Sequence, residues 1–196
     1  MRAEGGLSLY GSGGRKYLTA AERRRLLDAI SKAPSKVRLF LLTLMWSGGR
    51  LSETLSITPE AIDLDAGAVS IETLKRRQRG VVRQVPLPRP LLQELNHTFG
   101  LRTAQRQPSD ASTPLWPWSR TTGWRRVKEV MAAAGICGTP ATPRGLRHTF
   151  GVAAFQKNVP PHLVQRWLGH ASLRTTAIYG QVIGAEERAF AARTWK

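Results

Sequence analysis

One stretch of this chain alternates like paired strands, while most of the rest is punctuated like helices. Residues 68–74 (Ala68 to Leu74) read as a strand and Val81 to Leu87 as its antiparallel partner. The basic turn Lys75-Arg76-Arg77-Gln78-Arg79-Gly80 joins them, and a short strand around Ile62–Leu64 is expected to add a third. Upstream, Thr19 with Glu22 three residues on forms a capping box, followed by an apolar stripe of Leu26, Leu27 and Ile30 that Pro34 ends. Residues 36–46 read as a more apolar, buried helix. Gly48-Gly49 breaks it, and Arg50 starts a short helix to about Leu55.

Downstream, helices are expected from about Pro90 to Thr98 and from Thr121 to Ala134, the latter closed by Gly135. Pro140 and Pro143 precede the helix that carries Arg147. Pro160-Pro161 starts another, with Leu163, Val164, Trp167 and Leu168 on one face, and Gly169 stops it. Ser172 caps a short helix leading to Tyr179, while residues 100–118 read as irregular and polar. The fold class is therefore mainly α with a small antiparallel β-sheet (α+β). No internal repeat is visible.

A chain of 196 residues holds one domain, or one and a small appendage, and 41% hydrophobic residues suffice for a core. Residues 1–16 read as a flexible leader, Gly- and Ser-rich at Gly11-Ser12-Gly13-Gly14. No apolar run approaches the ~20 residues of a membrane span, and the N-terminus lacks the apolar stretch of a secretory signal. Cys137, the single cysteine, cannot form an internal disulfide and fits a reducing cytoplasm. Four scattered histidines and one cysteine give no zinc spacing, so no metal site is expected.

The formal net charge of +17 suggests a polyanionic partner. Residues 99–185 hold eleven Arg or Lys against two acids, Asp110 and Glu129, which makes this half the one facing that partner. A GC-rich genome explains a preference for Arg over Lys, but not the shortage of acids.

The last quarter carries the sharpest signals. Leu146-Arg147-His148-Thr149-Phe150 is followed by Leu168-Gly169-His170 and then by Thr175-Thr176-Ala177-Ile178-Tyr179. Far upstream lies Ser47-Gly48-Gly49-Arg50-Leu51-Ser52-Glu53. Two arginines, a histidine and a tyrosine in such settings suggest a site that grips a phosphate and attacks it with a phenol. Planar guanidinium forks match nonbridging phosphate oxygens and stay charged at physiological pH, which makes Arg50 and Arg147 the two clamps. A phenol with pKa ~10 is about 0.1% ionised at pH 7, so Tyr179 needs a base or a positive field. His170 is expected to donate a hydrogen bond to the same phosphate, Glu53 to orient the turn at Arg50, and His148 to face elsewhere on its helix in a structural role.

This pattern resembles the tyrosine recombinase (phage integrase) family over roughly residues 17 to 183. The Gly-x-Arg-x-x-Glu turn, the Leu-Arg-His-Thr-Phe block, the Leu-Gly-His and the Thr-Thr-x-x-Tyr all appear in the family's order. The resemblance implies a catalytic DNA breaking-rejoining domain over residues 17–183, cleaving double-stranded DNA through a covalent 3′-phosphotyrosine bond without metal or nucleotide cofactor. It also implies a homo-oligomer, a tetramer, on DNA in the bacterial cytoplasm and nucleoid. Lys75 sits where the family keeps the general acid that protonates the leaving 5′-oxygen. Arg76, Arg77 and Arg79 of the same turn, with Arg125, Arg126 and Arg174, are expected to bind DNA. Trp116 and Trp118 are read as packing a loop, and Trp167 as core. The tail at residues 184–196 suits either a neighbouring subunit or its own domain. With about 16 residues before the catalytic region, the chain reads as a catalytic fragment or as a naturally short member resembling the fimbrial phase-variation invertases.

One position departs from the family. Three residues before the second clamp the family usually has a histidine, less often a lysine, and here stands Arg144. An arginine binds phosphate but does not readily accept a tyrosine proton. Either the site has a third clamp and another route for that proton, or activity is reduced. Two rival readings therefore stand beside recombination: a relaxase- or type IB topoisomerase-like nicking-resealing enzyme, and a non-catalytic DNA-binding regulator of the same fold.

Overall fold

The computed structural model describes residues 8–11, 14–73 and 80–181. Residues 8–11 and 14–16 of the expected leader belong to the fold. β1 (Tyr10–Gly11) pairs antiparallel with β2 (Gly14–Arg15), and Leu9 is buried beside Val152, Val164 and Leu168. The Gly-Ser composition concealed a single apolar anchor ahead of it.

α1 (Ala20–Ser31) starts with both halves of the capping box: the Glu22 amide donates to Thr19 Oγ1 at 3.2 Å and the Thr19 amide to Glu22 Oε2 at 2.8 Å. Leu26 and Ile30 of α1 are buried. α2 (Ser35–Ser47) is buried nearly all round, through Val37, Leu39, Phe40, Leu41, Leu44 and Met45, as expected of a central helix. It ends at Gly48, whose φ of 62° is left-handed and favours glycine. α3 (Leu51–Leu55) follows immediately, with Arg50 as its N-cap rather than within it.

The sheet has three strands: β3 (Ile62–Asp63), β4 (Ala68–Glu72) and β5 (Val82–Pro86), in the order β3-β4-β5 and antiparallel throughout. Val69 and Ile71 of β4 point into the core and sit opposite Val85 and Arg83 of β5. The turn carrying Lys75, Arg76, Arg77 and Arg79 lies outside the described residues, as does the tail at 184–196.

α4 (Arg89–Phe99) leads into the segment expected to be irregular and polar. That reading is corrected: two short helices form there, α5 (Leu101–Ala104) and α6 (Pro108–Ala111), and Leu101, Leu115 and Trp116 are buried. Trp116 is core rather than loop packing. Its ring meets Phe40 edge-on at 5.3 Å and Phe99 at 5.5 Å, and its Nε1 donates to the Lys36 carbonyl at 2.9 Å. Its polar neighbours in sequence hid this, because spaced single anchors carry no periodicity.

α7 (Arg120–Ala133), α8 (Pro143–Gln156), α9 (Pro161–Leu168) and α10 (Leu173–Ala177) complete the described residues, with a 3₁₀ turn at Ile178–Gln181. α8 packs on α2, and α9, α10 and the final turn gather around it. Trp167, read as core, is only partly buried, at the edge of that core. Among the described residues no helix is long and apolar enough to cross a membrane.

Trp116→Ala should cost about 3–5 kcal/mol of stability, read from urea unfolding. A loss under 1 kcal/mol would mean that residues 100–118 contribute little to the core.

Candidate active site

The site is built where α8 meets the turn after α2 and the end of α9. Arg147, only 8% exposed, donates from Nη1 to the Gly48 carbonyl at 2.7 Å and from Nη2 to the Leu168 carbonyl at 2.5 Å. One guanidinium thus ties together three distant segments, and its planar fork suits two acceptors at once. Burial and the neighbouring Arg50 depress its pKa to about 10, so it stays charged at neutral pH.

Arg50 faces the same space from the N-cap of α3. Its amide donates to Glu53 Oε2 at 2.9 Å and its Nη1 to Glu53 Oε1 at 2.5 Å. Glu53 is buried, and Arg83 of β5 donates to its Oε2 at 2.6 Å. Burial alone would push the Glu53 carboxyl up, but Arg83 and Arg50 outweigh it and hold the pKa below the ordinary value. Arg83 also donates to the Trp167 carbonyl at 2.8 Å and to Thr73 Oγ1 at 3.1 Å. Sequence reasoning passed over Arg83. Its signal was an arginine at the position of β5 that should have pointed inward.

Tyr179 lies on the final 3₁₀ turn, 2% exposed. Its ring sits against Gly151 of α8, where an added Cβ would come within 2.6 Å of the ring atoms. His170 stacks with the ring at 6.2 Å and 12°. The Tyr179 hydroxyl lies 3.3 Å from His148 Nδ1. This corrects the expectation that His148 faces elsewhere. One residue after Arg147 does turn it away from Arg147's partners, but toward the C-terminal turn that closes the site. The legible clue was Gly151, three residues on and on the same helical face, which makes room for a ring.

His170 Nδ1 lies 2.9 Å from Thr176 Oγ1, which fixes the imidazole against α10. Burial, then Arg147, Arg50 and Arg83, depress its pKa to about 3. Burial, then Arg144, Arg147 and Lys16, bring His148 to about 4. Burial raises the Tyr179 phenol, and Arg147, Arg144 and Arg50 pull it back in part. Both imidazoles are therefore neutral at pH 7, and the positive charge resides on the guanidinium groups.

These side chains line one cleft of about 760 Å³. Five of the six residues read as catalytic, Arg50, Arg144, Arg147, His170 and Tyr179, are brought together there. Lys75 lies outside the described residues, as do Arg76, Arg77 and Arg79. Arg144 is exposed at the rim, near the start of α8. Arg125 and Arg126 sit on α7 against Glu129, with Arg126 Nη1 at 3.0 Å, and Arg174 is exposed on α10. Among the described residues, Lys16 and Arg120 are the further cations at the cleft, and Trp124 lines it while 46% exposed. No group of three His, Cys, Asp or Glu among the described residues gathers to hold a metal. A cleft with clustered guanidinium groups, two neutral imidazoles and a phenol can hold an anion and present a nucleophile to it.

Glu53→Gln leaves Arg83 buried without a countercharge and should cost about 3–5 kcal/mol in urea unfolding. An unchanged midpoint would remove Glu53 as the anchor of this network. The histidines give a pH signature. Their pKa values fall from 6.5 unfolded to about 4 and about 3 folded, so the unfolded chain binds more protons across that window. Stability should hold above pH 6.5 and fall as pH drops toward 4, and less steeply in the double variant His148→Asn, His170→Asn. Equal slopes of melting temperature against pH would contradict this.

Comparison with known proteins places the site in context. The model of the phage integrase family matches residues 16–185. The tyrosine recombinase XerA of Pyrococcus furiosus is 34% identical over 176 residues, covering 85% of this chain and 57% of that protein. The type 1 fimbriae regulatory protein FimB of Escherichia coli K12 is 30% identical over 186 residues, covering 89% of this chain and 91% of FimB. Against the XerA relatives the chain thus spans just over half their length. Among solved structures, XerA recombinase superposes with a TM-score of 0.73 at 24% identity, over 91% of this chain and 64% of that one. XerH site-specific recombinase bound to its palindromic difH substrate in a post-cleavage complex gives 0.73 at 24%, over 92% and 53%. By this match and this architecture, the chain belongs to the phage integrase family and has the catalytic-domain fold of a tyrosine recombinase.

Proposed function

We propose that this chain is a site-specific DNA recombinase, cleaving and rejoining double-stranded DNA with Tyr179 as the nucleophile. The observation that carries the reading is the convergence of Tyr179, Arg50, Arg147 and His170 on one cleft, from segments far apart in sequence. Membership of the family and the DNA-bound state of the XerH structure support it, as does the net charge of +17.

In this reading the scissile phosphate sits between Arg50 and Arg147. Their charges offset the negative charge that grows on the nonbridging oxygens as the phenol attacks. Arg147 is already held by two carbonyls, so it does not reorganise when the phosphate arrives. His170, fixed through Thr176, adds a neutral donor from its other ring nitrogen when Nδ1 acts as acceptor. Attack by the Tyr179 oxygen forms a 3′-phosphotyrosine and releases the 5′-oxygen, which Lys75 protonates. Reversal by a 5′-hydroxyl from another strand restores the tyrosine and completes the exchange. Arg144 serves as a third cation at the rim, and Arg76, Arg77, Arg79, Arg125, Arg126 and Arg174 contact the backbone of the flanking duplex. Exchange between two sites requires more than one copy, and a tetramer on nucleoid DNA in the cytoplasm is the proposed working form.

The test is covalent trapping. A nicked suicide duplex, selected by covalent capture from a randomised pool, should form a denaturation-resistant adduct with the wild-type protein. The adduct should vanish in Tyr179→Phe with DNA affinity retained, and its rate should fall about a hundred- to a thousandfold in Arg147→Ala. DNA binding without any adduct supports the non-catalytic regulator instead. Adducts that reseal single sites but never exchange strands between two favour the nicking-resealing alternative.

A further inference from the structure

The recombinase reading leaves one proton without a destination. A phenol must lose its proton as it bonds to phosphorus, and Arg144, exposed at the cleft rim, is permanently charged and accepts none. His170 is engaged through Nδ1 with Thr176, and its ring lies parallel to that of Tyr179 rather than end-on to the hydroxyl.

His148 has the needed position. Its Nδ1 lies 3.3 Å from the Tyr179 hydroxyl, and both residues are buried. In the Nε2–H tautomer Nδ1 carries the free lone pair, and the phenol is its hydrogen-bond donor. Helix α8 fixes the imidazole, and Gly151 on the same face lets the tyrosine ring settle against it. We propose that His148 is a catalytic residue of this chain: the general base that takes the Tyr179 proton, in the place that Arg144 cannot fill. The proposal rests on the recombinase reading and adds to it the route of one proton.

The step balances without a further reactant. The Tyr179 O–H bond breaks and its proton goes to His148 Nδ1. The phenolic oxygen bonds to phosphorus, the bond from phosphorus to the 5′-oxygen breaks, and that oxygen takes a proton from Lys75. On rejoining, the attacking 5′-hydroxyl gives its proton back to Lys75 as its oxygen bonds to phosphorus, and the imidazolium returns its proton to the departing phenolic oxygen.

The charged and titratable groups around His148 explain when it acts. Arg144 and Arg147 approach it from its own helix, Lys16 from the segment after β2, His170 from the end of α9, and Tyr179 from the final turn. Burial, then the cations among them, hold the imidazole neutral, so the base is free. A phosphodiester seated among Arg144 and Arg147 offsets those charges and makes Nδ1 more basic once substrate is bound.

The experiment uses the full chain and the nicked duplex described above, in single-turnover adduct formation. His148→Asn is the informative variant, because its side-chain oxygen can still accept the phenol's hydrogen bond but does not take up a proton. Its rate should fall about a hundredfold or more with DNA affinity unchanged. Its rate should also climb with pH toward the phenol's own ionisation, where the wild type is nearly level between about pH 6 and 8. His148→Ala should regain rate with added imidazole, which no merely structural loss would do. An Asn variant within a few-fold of wild type, or an Ala variant deaf to imidazole, overturns the assignment and leaves the recombinase reading standing. A wild-type chain that forms no adduct overturns both.

Discussion

A single buried guanidinium holds the candidate site together. Arg147 leaves α8 and bonds the carbonyl that ends α2 and the one that ends α9. The first belongs to the left-handed Gly48 itself and the second to Leu168, just before the left-handed Gly169; both lie at helix C-termini, where backbone carbonyls have no helical partner and welcome a cation. Arg83 grips the adjacent Trp167 carbonyl from β5 and pairs with Glu53, which pairs with Arg50. Sheet, central helix and C-terminal helices are thereby locked to one another through charges that also face or flank the cleft.

That arrangement leaves the cleft short of negative charge. Glu53 is buried and already shared between two arginines, while Arg144, Arg147, Lys16 and Arg120 converge on the same volume. Burial first, and this crowding second, depress the pKa values of Arg147 and both histidines. A polyanion entering the cleft relieves the repulsion and meets donors already in position. The folded state carries this strain, and Glu53 is what limits it.

Much of this was legible in residue order. Prolines and glycines set the helix ends, the alternation of β4 and β5 gave the hairpin, and motif spacing singled out Arg50, Arg147, His170 and Tyr179. Four features were not. Trp116 is a core anchor inside a polar segment, Leu9 anchors a Gly-rich start, and His148 sits beside a clamp yet serves another face. In each case a single side chain finds its partner from far along the chain, so no local period or motif betrays it. Arg83 belongs with these, since an inward-pointing arginine on a strand makes sense only once Glu53 is placed behind it. The Arg144 departure was visible in the sequence, but the neighbour that can compensate for it emerged only from the geometry.

The most direct test of the account is to map the DNA adduct. The covalent complex is digested with nuclease and protease, and the residue carrying the nucleotide is identified by mass spectrometry. The expected product carries a 3′-linked nucleotide on the oxygen of Tyr179 and on no other residue. A nucleotide on Tyr10, on Tyr17 or on a serine would contradict it.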